Sequence, residues 1–131
     1  MVYIYIEMKE GIKHIEFWVS DLKRSDRFYS EFFNILGWKK VGDSSFKLGS
    51  TKLYFKQSDK SRIDTLGVRH ICFWAKSRVV VDKVAELVKA QGVKKIRGSV
   101  EMKGKEYSSG YYTVDFCDPD GCIVEVAHTP D

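Results

Sequence analysis

Residues 69–75 read Arg69-His70-Ile71-Cys72-Phe73-Trp74-Ala75, and residues 13–19 read Lys13-His14-Ile15-Glu16-Phe17-Trp18-Val19. Five of the seven positions agree in type: a basic residue, His, Ile, Phe and Trp. The two histidines are 56 residues apart, and a second echo follows at nearly the same offset, where Gly37-Trp38-Lys39-Lys40-Val41 returns as Gly92-Val93-Lys94-Lys95-Ile96. An internal period fixes the architecture before any local element is assigned. The chain therefore reads as two copies of one unit.

Each copy follows the same plan. In the first, 12–19 alternates as a strand, Ser20 or Asp21 offers a helix N-cap, and Leu22–Leu36 follows with Leu22, Tyr29, Phe32, Phe33 and Leu36 on one helical face. Gly37 ends that helix, and three strands are expected at 38–41, 45–48 and 51–57. In the second copy a strand at 67–75 precedes a helix over 79–91 with Val80, Val84, Leu87 and Val88 inward. Strands at 93–97, 111–117 and 122–128 complete it, with a polar loop at 98–110 and a tight turn at Asp118-Pro119-Asp120-Gly121. The expected class is α+β: two βαβββ modules, about 12–57 and 67–128, joined by a polar linker at 58–66, in a single domain. Eight strands would then form one curved mixed sheet around a cavity. Residues 1–11 read as an N-terminal arm or an added strand, since the apolar start is too short and lacks the leading charge of a signal peptide.

Strand alternation sorts the repeated residues by face. Ile15, Phe17 and Val19 share an apolar side, as do Ile71, Phe73 and Ala75, whereas His14, Glu16 and Trp18 and their counterparts His70, Cys72 and Trp74 share the opposite one. The apolar sides call for helices. The mixed sides call for a cavity.

Bulk composition narrows the classes. With 131 residues, 44% of them hydrophobic, the chain can bury one core, and it has no apolar run long enough to span a membrane. The net charge of +4 comes from basic residues scattered among acids, not from the stripe expected of a nucleic-acid surface. Three Cys, an odd number in no framework, point to reduced thiols and a cytoplasmic protein.

Glu125 is the lone charge in Ile123-Val124-Glu125-Val126-Ala127, and a carboxylate there is costly to bury unless paired or bound to a metal. With His14 and His70 at equivalent repeat positions, it completes a set of two imidazoles and one carboxylate that suits Zn, Ni, Co, Mn or Fe(II) with open positions for substrate. Glu16 on the His14 face, and a tyrosine among Tyr107, Tyr111 and Tyr112, with Tyr112 foremost, are the candidate proton-transfer groups. Cys72 faces the same side as His70.

The segments KHIEFWVSDLKRSDRFYSEFF, RHICFWA and YYTVDFCDPDGCIVEV resemble the vicinal oxygen chelate superfamily over roughly 12–128. That superfamily includes glyoxalase I, extradiol dioxygenases, fosfomycin-resistance transferases, methylmalonyl-CoA epimerase and bleomycin-binding proteins. The resemblance implies metal ligands from the first and last strands of each module, and carried over by position these are His14, His70 and Glu125. The fourth family position falls in Thr51–Lys56, which offers no His, Asp or Glu and only Tyr54 as a weak donor. It also implies a homodimer in which modules close a cavity either within one chain or between two. The function implied is that of a divalent-metal-dependent lyase, isomerase or dioxygenase chelating neighbouring oxygens of a small substrate. The alternative is a metal-free small-molecule binding or sequestering protein of the bleomycin-resistance type.

Overall fold

The computed structural model describes residues 11–59 and 67–130. The N-terminal arm and most of the linker therefore lie outside the described residues. Ten elements follow in chain order: β1 (His14–Val19), α1 (Leu22–Leu36), β2 (Lys39–Gly42), β3 (Ser45–Leu48), β4 (Thr51–Gln57), β5 (His70–Trp74), α2 (Arg78–Gln91), β6 (Lys95–Glu101), β7 (Tyr112–Cys117) and β8 (Ile123–His128). The α+β class, the two βαβββ units and the eight strands agree with the sequence reading. No helix among the described residues is long and apolar enough to cross a membrane.

Local chemistry sets the helix ends. Asp21, rather than Ser20, caps α1 by accepting a hydrogen bond from the Arg24 amide, and Ser77 accepts from the Val80 amide at the start of α2. Gly37 and Gly92 end the helices with φ of 86° and 66°, a left-handed turn that glycine adopts without a Cβ clash. Strand β6 runs further than the spacing predicts, to Glu101. Register shifts between Lys95 and Arg97 and between Arg97 and Val100 absorb Gly98 as part of an irregular strand instead of a loop.

The repeat is visible in the topology. The strand orders are β1-β4-β3-β2 and β5-β8-β7-β6, so each module is one four-stranded sheet. In each, the first strand lies parallel to the last, and the other pairs are antiparallel. This differs from a single continuous eight-stranded sheet. Phe17 of β1 and Ile71 and Phe73 of β5 line a largely apolar cleft of about 310 Å³, and among the described residues the two strands belong to separate hydrogen-bonded sheets.

The two modules share one core. Phe32 of α1 packs edge-on against Phe73 of β5 and Phe116 of β7, at 5.5 and 5.9 Å between ring centres, and Phe33 meets Phe46 at 4.7 Å and Phe73 at 5.6 Å. Phe28, which the helical-face reading leaves out, is buried against Phe116. In α2 the buried residues are Val81, Val84, Leu87 and Val88, while Val80 is only partly covered. The first module's helix thus touches the second module's strands, so neither module's apolar face is completed without the other. Both sheets give their apolar faces to this core and leave their mixed faces outside it.

Candidate functional site

The mixed face of the second sheet holds a cross-strand row. Register pairs Cys72 with Glu125, Glu125 with Asp115, and Asp115 with Arg97. Residues paired this way lie side by side on one face. His70 comes one step along β5, and its Nε2 stands 3.1 Å from Glu125 Oε1. The other carboxylate oxygen, Oε2, accepts from the Tyr111 hydroxyl at 2.7 Å and lies 2.7 Å from the Thr113 hydroxyl. Thr113 is also 3.0 Å from the Val126 carbonyl, so one proton serves two acceptors. Glu125 is thereby fixed through one oxygen and presents the other to His70. The Arg69 guanidinium lies 3.1 Å from His70 Nδ1, and as a pure donor it makes that nitrogen the acceptor and leaves the proton on Nε2, toward Glu125.

Electrostatics at this row follow from its carboxylate. Burial, reinforced by the negative charge of Glu125, pushes the Cys72 thiol up to about 11. The Tyr111 phenol is held well above its ordinary value, first by desolvation and then by its hydrogen bond to Glu125. Asp115 is buried, and its Oδ1 has no hydrogen-bond partner among the described residues. Arg97 Nε is 3.9 Å away, an ion-pair distance and not a hydrogen bond.

The other sequence-predicted residues lie elsewhere. His14, on the mixed face of the first sheet, has its ring 5.6 Å from that of Tyr54. Glu16 accepts a 3.1 Å hydrogen bond from the indole of Trp18. His70 and Glu125 are together; His14 is on the separate sheet, and among the described residues no three His, Cys, Asp or Glu side chains gather closely enough to hold an ion. Tyr112 does not reach this face. Its hydroxyl donates to Asp82 of α2 at 2.6 Å and the Arg78 guanidinium lies over its ring, because strand alternation turns it to the helix side. Tyr111 is the tyrosine at the carboxylate. Asp115 and Thr113 join the site beside the residues that the sequence singles out. Counting outward from the turn at 118–121 pairs Asp115 with Glu125 directly, so that signal was present; the bulges of β6 hide Arg97 from such a count.

The two open faces each display a tryptophan. Trp18 is 47% exposed and Trp74 72% exposed, at equivalent positions of the repeat.

Known proteins place this arrangement in context. A profile of the Glyoxalase/Bleomycin resistance protein/Dioxygenase superfamily matches residues 11–126. The uncharacterized protein YqjT of Bacillus subtilis (strain 168) is 32% identical over 125 aligned residues, covering 86% of this chain and 94% of that one. Similar solved structures include a glyoxalase/dioxygenase from Nostoc punctiforme, at 20% identity and TM-score 0.71 over 92% of each chain. A glyoxalase/bleomycin resistance protein from Albidiferax ferrireducens T118 also has 20% identity and TM-score 0.71, covering 91% of this chain and 98% of its own. A lactoylglutathione lyase from Agrobacterium tumefaciens has 22% identity and TM-score 0.59 over 92% and 94%. At these identities the structures speak to the fold alone.

Proposed function

This chain belongs to the Glyoxalase/Bleomycin resistance protein/Dioxygenase superfamily, and from that premise we propose a divalent-metal-dependent enzyme of lyase, isomerase or dioxygenase type. Its substrate is a small molecule with adjacent oxygens, and its working form is a homodimer in which His14 of one protomer joins His70 and Glu125 of the other. The observation that carries this reading is the oriented His70–Glu125 pair, 3.1 Å apart, with the second carboxylate oxygen anchored by Tyr111 and Thr113. Ligating carboxylates and imidazoles are held this way by neighbouring hydrogen bonds, which fix the ligand and its lone pair. Once an ion displaces the Nε2 proton, His70 Nε2 and Glu125 Oε1 would face it together, a donor pair that fits Zn, Ni, Co, Mn or Fe(II) but does not choose among them. His14 is the missing third donor, and it lies on an open face of the other module.

A bound divalent ion supplies Lewis-acid polarisation of the substrate's neighbouring oxygens. The chain supplies the rest. Tyr111 and Thr113 hold Glu125 in place. Trp18 orients Glu16, the candidate base, through its indole N–H. Trp18 and Trp74 offer flat apolar walls once the faces close on each other. The same walls support the second reading, a binding protein that needs no metal, because stacking surface alone can retain a small ligand.

Metal analysis of the protein purified without chelator tests the first reading. Wild type is expected to carry close to one ion per chain, and His70→Ala about tenfold less, as loss of a ligand or its support costs at least an order of magnitude in affinity. Unchanged stoichiometry in His70→Ala removes the assignment and leaves the binding protein.

A further inference from the structure

The open face of the first sheet is charged in a way the second is not. Register places His14 beside Lys52, Lys52 beside Lys47, and Lys47 beside Lys39, so one row crosses β1, β4, β3 and β2. Lys56 adds a fourth ammonium on the same face, paired with Trp18. The opposite face of these strands carries Phe46, Leu53 and Phe55, all buried, so the lysines stand on the outer side, and all four are exposed. Adjacent strands are about 4.8 Å apart, and like charges directly opposite each other destabilise a sheet. Here two such pairs occur in succession. None of Lys39, Lys47, Lys52 and Lys56 has an ion-pair partner among the described residues. Lys40, which points to the helix side, does: it meets Asp26 at 2.9 Å. The first face therefore carries four lysines against the carboxylate of Glu16, which the Trp18 indole holds, and stays net positive among the described residues, while the second face concentrates the carboxylates Glu125 and Asp115.

We infer that the first module's lysine row binds the anionic end of a small substrate, a phosphate or carboxylate group. The row starts at His14, so a substrate that chelates the ion there through its oxygens can extend its charged end over Lys52 and Lys47 toward Lys39. In this respect the inference rests on the shared-cation reading above and names its substrate class: an oxygen chelator with an anionic tail. The two copies of the unit have divided the electrostatics between them, one face for a cation and the other for an anion. Tyr54, with the Lys52 ammonium 5.6 Å above its ring, gives the row an apolar flank.

The test is a phosphorus NMR titration of the full chain with inorganic phosphate at low ionic strength. Wild type is expected to bind. The Lys47→Gln/Lys52→Gln protein is expected to bind about tenfold more weakly, the effect of removing two charges at close range. Lys83→Gln/Lys89→Gln, on the exposed side of α2, is the charge-matched control and should bind like wild type. Equal affinity in both double variants means an adventitious ion only and overturns the inference, as does an absence of phosphate binding. Binding of a short oligothymidylate through Lys47 and Lys52 without phosphate binding also overturns it, in favour of a nucleic-acid surface. Two cross-checks separate this idea from the cation reading. His70→Ala should lose metal and keep phosphate, and Lys47→Gln/Lys52→Gln should lose phosphate affinity and keep metal.

Discussion

Glu125 serves three neighbours with two oxygens: His70 on one, Tyr111 and Thr113 on the other. Its charge is felt by the thiol next to it in register. Cys72, held at about 11 by desolvation and by Glu125, should react slowly with iodoacetamide at pH 8 because the thiolate is the nucleophile. Peptide-resolved alkylation should rise with pH to a midpoint of about 11. In Glu125→Gln the charge contribution is removed, so the midpoint should fall and the rate at pH 8 should increase. A midpoint that stays put in the variant would disconnect the thiol from the carboxylate. The pairing of Cys72 with the Glu125 strand was beyond the sequence, because strand β8 could have lain on either side of β5.

At the scale of elements, the turn between β7 and β8 ties the two modules together. Asp118 is buried, and its Oδ1 accepts from the amides of Asp120 and Cys122, at 2.9 Å each, while Oδ2 accepts from the Tyr29 hydroxyl of α1 at 2.7 Å. Asp120 in turn meets Arg24 at 3.2 Å and the Ser20 hydroxyl. Asp118→Ala leaves three donors without their acceptor, two of them in the turn and one in the core, and should cost about 2–4 kcal/mol in chemical denaturation. A loss under about 0.5 kcal/mol, the range of ordinary surface changes, would mean water replaces the carboxylate. Tyr29 gives the same contact a pH signature. Burial, then the negative charge of Asp118, holds its phenol well above 10. The unfolded chain releases that proton near pH 10, whereas the folded chain keeps it, so this contribution is complete below pH 10 and is lost as pH rises further, at about 1.4 kcal/mol per unit. Denaturation midpoints taken between pH 9 and 12 should fall more steeply in wild type than in Tyr29→Phe.

At the scale of the whole molecule, the single core and the separate mixed faces govern assembly. Phe32, on the first module's helix, packs against β5 and β7 of the second, so Phe32→Ala should cost about 3–5 kcal/mol and unfold both halves in one transition, as a large cavity in a shared core does. The faces that carry His14 and His70 both lie outside that core. If the cation is shared between protomers, His14→Ala and His70→Ala chains should each fail alone to hold metal. Co-expressed, they should recover about a quarter of the wild-type metal, because random pairing makes half the dimers mixed and each mixed dimer has one intact site. A cation held within one chain gives no recovery. Size-exclusion chromatography with light scattering should accompany this measurement, with a dimer expected.

The chain's own repeat decided the modules, both helices with their closing glycines, the hairpin at 118–121, and which residues of β1 and β5 share a face. These are properties of local period and of residues such as Gly37 and Gly92 whose backbone freedom is intrinsic. Strand order, the split into two sheets, and the pairings that bring Cys72 and Arg97 to the Asp115–Glu125 pair of the hairpin were decided only by tertiary packing. Pairing between strands distant in sequence is chosen by which apolar faces can be covered together, and Phe32 of the first module's helix covers strands of the second. That choice put His14 on one outer face and the His70–Glu125 pair on another, a separation no reading of spacing along the chain contains.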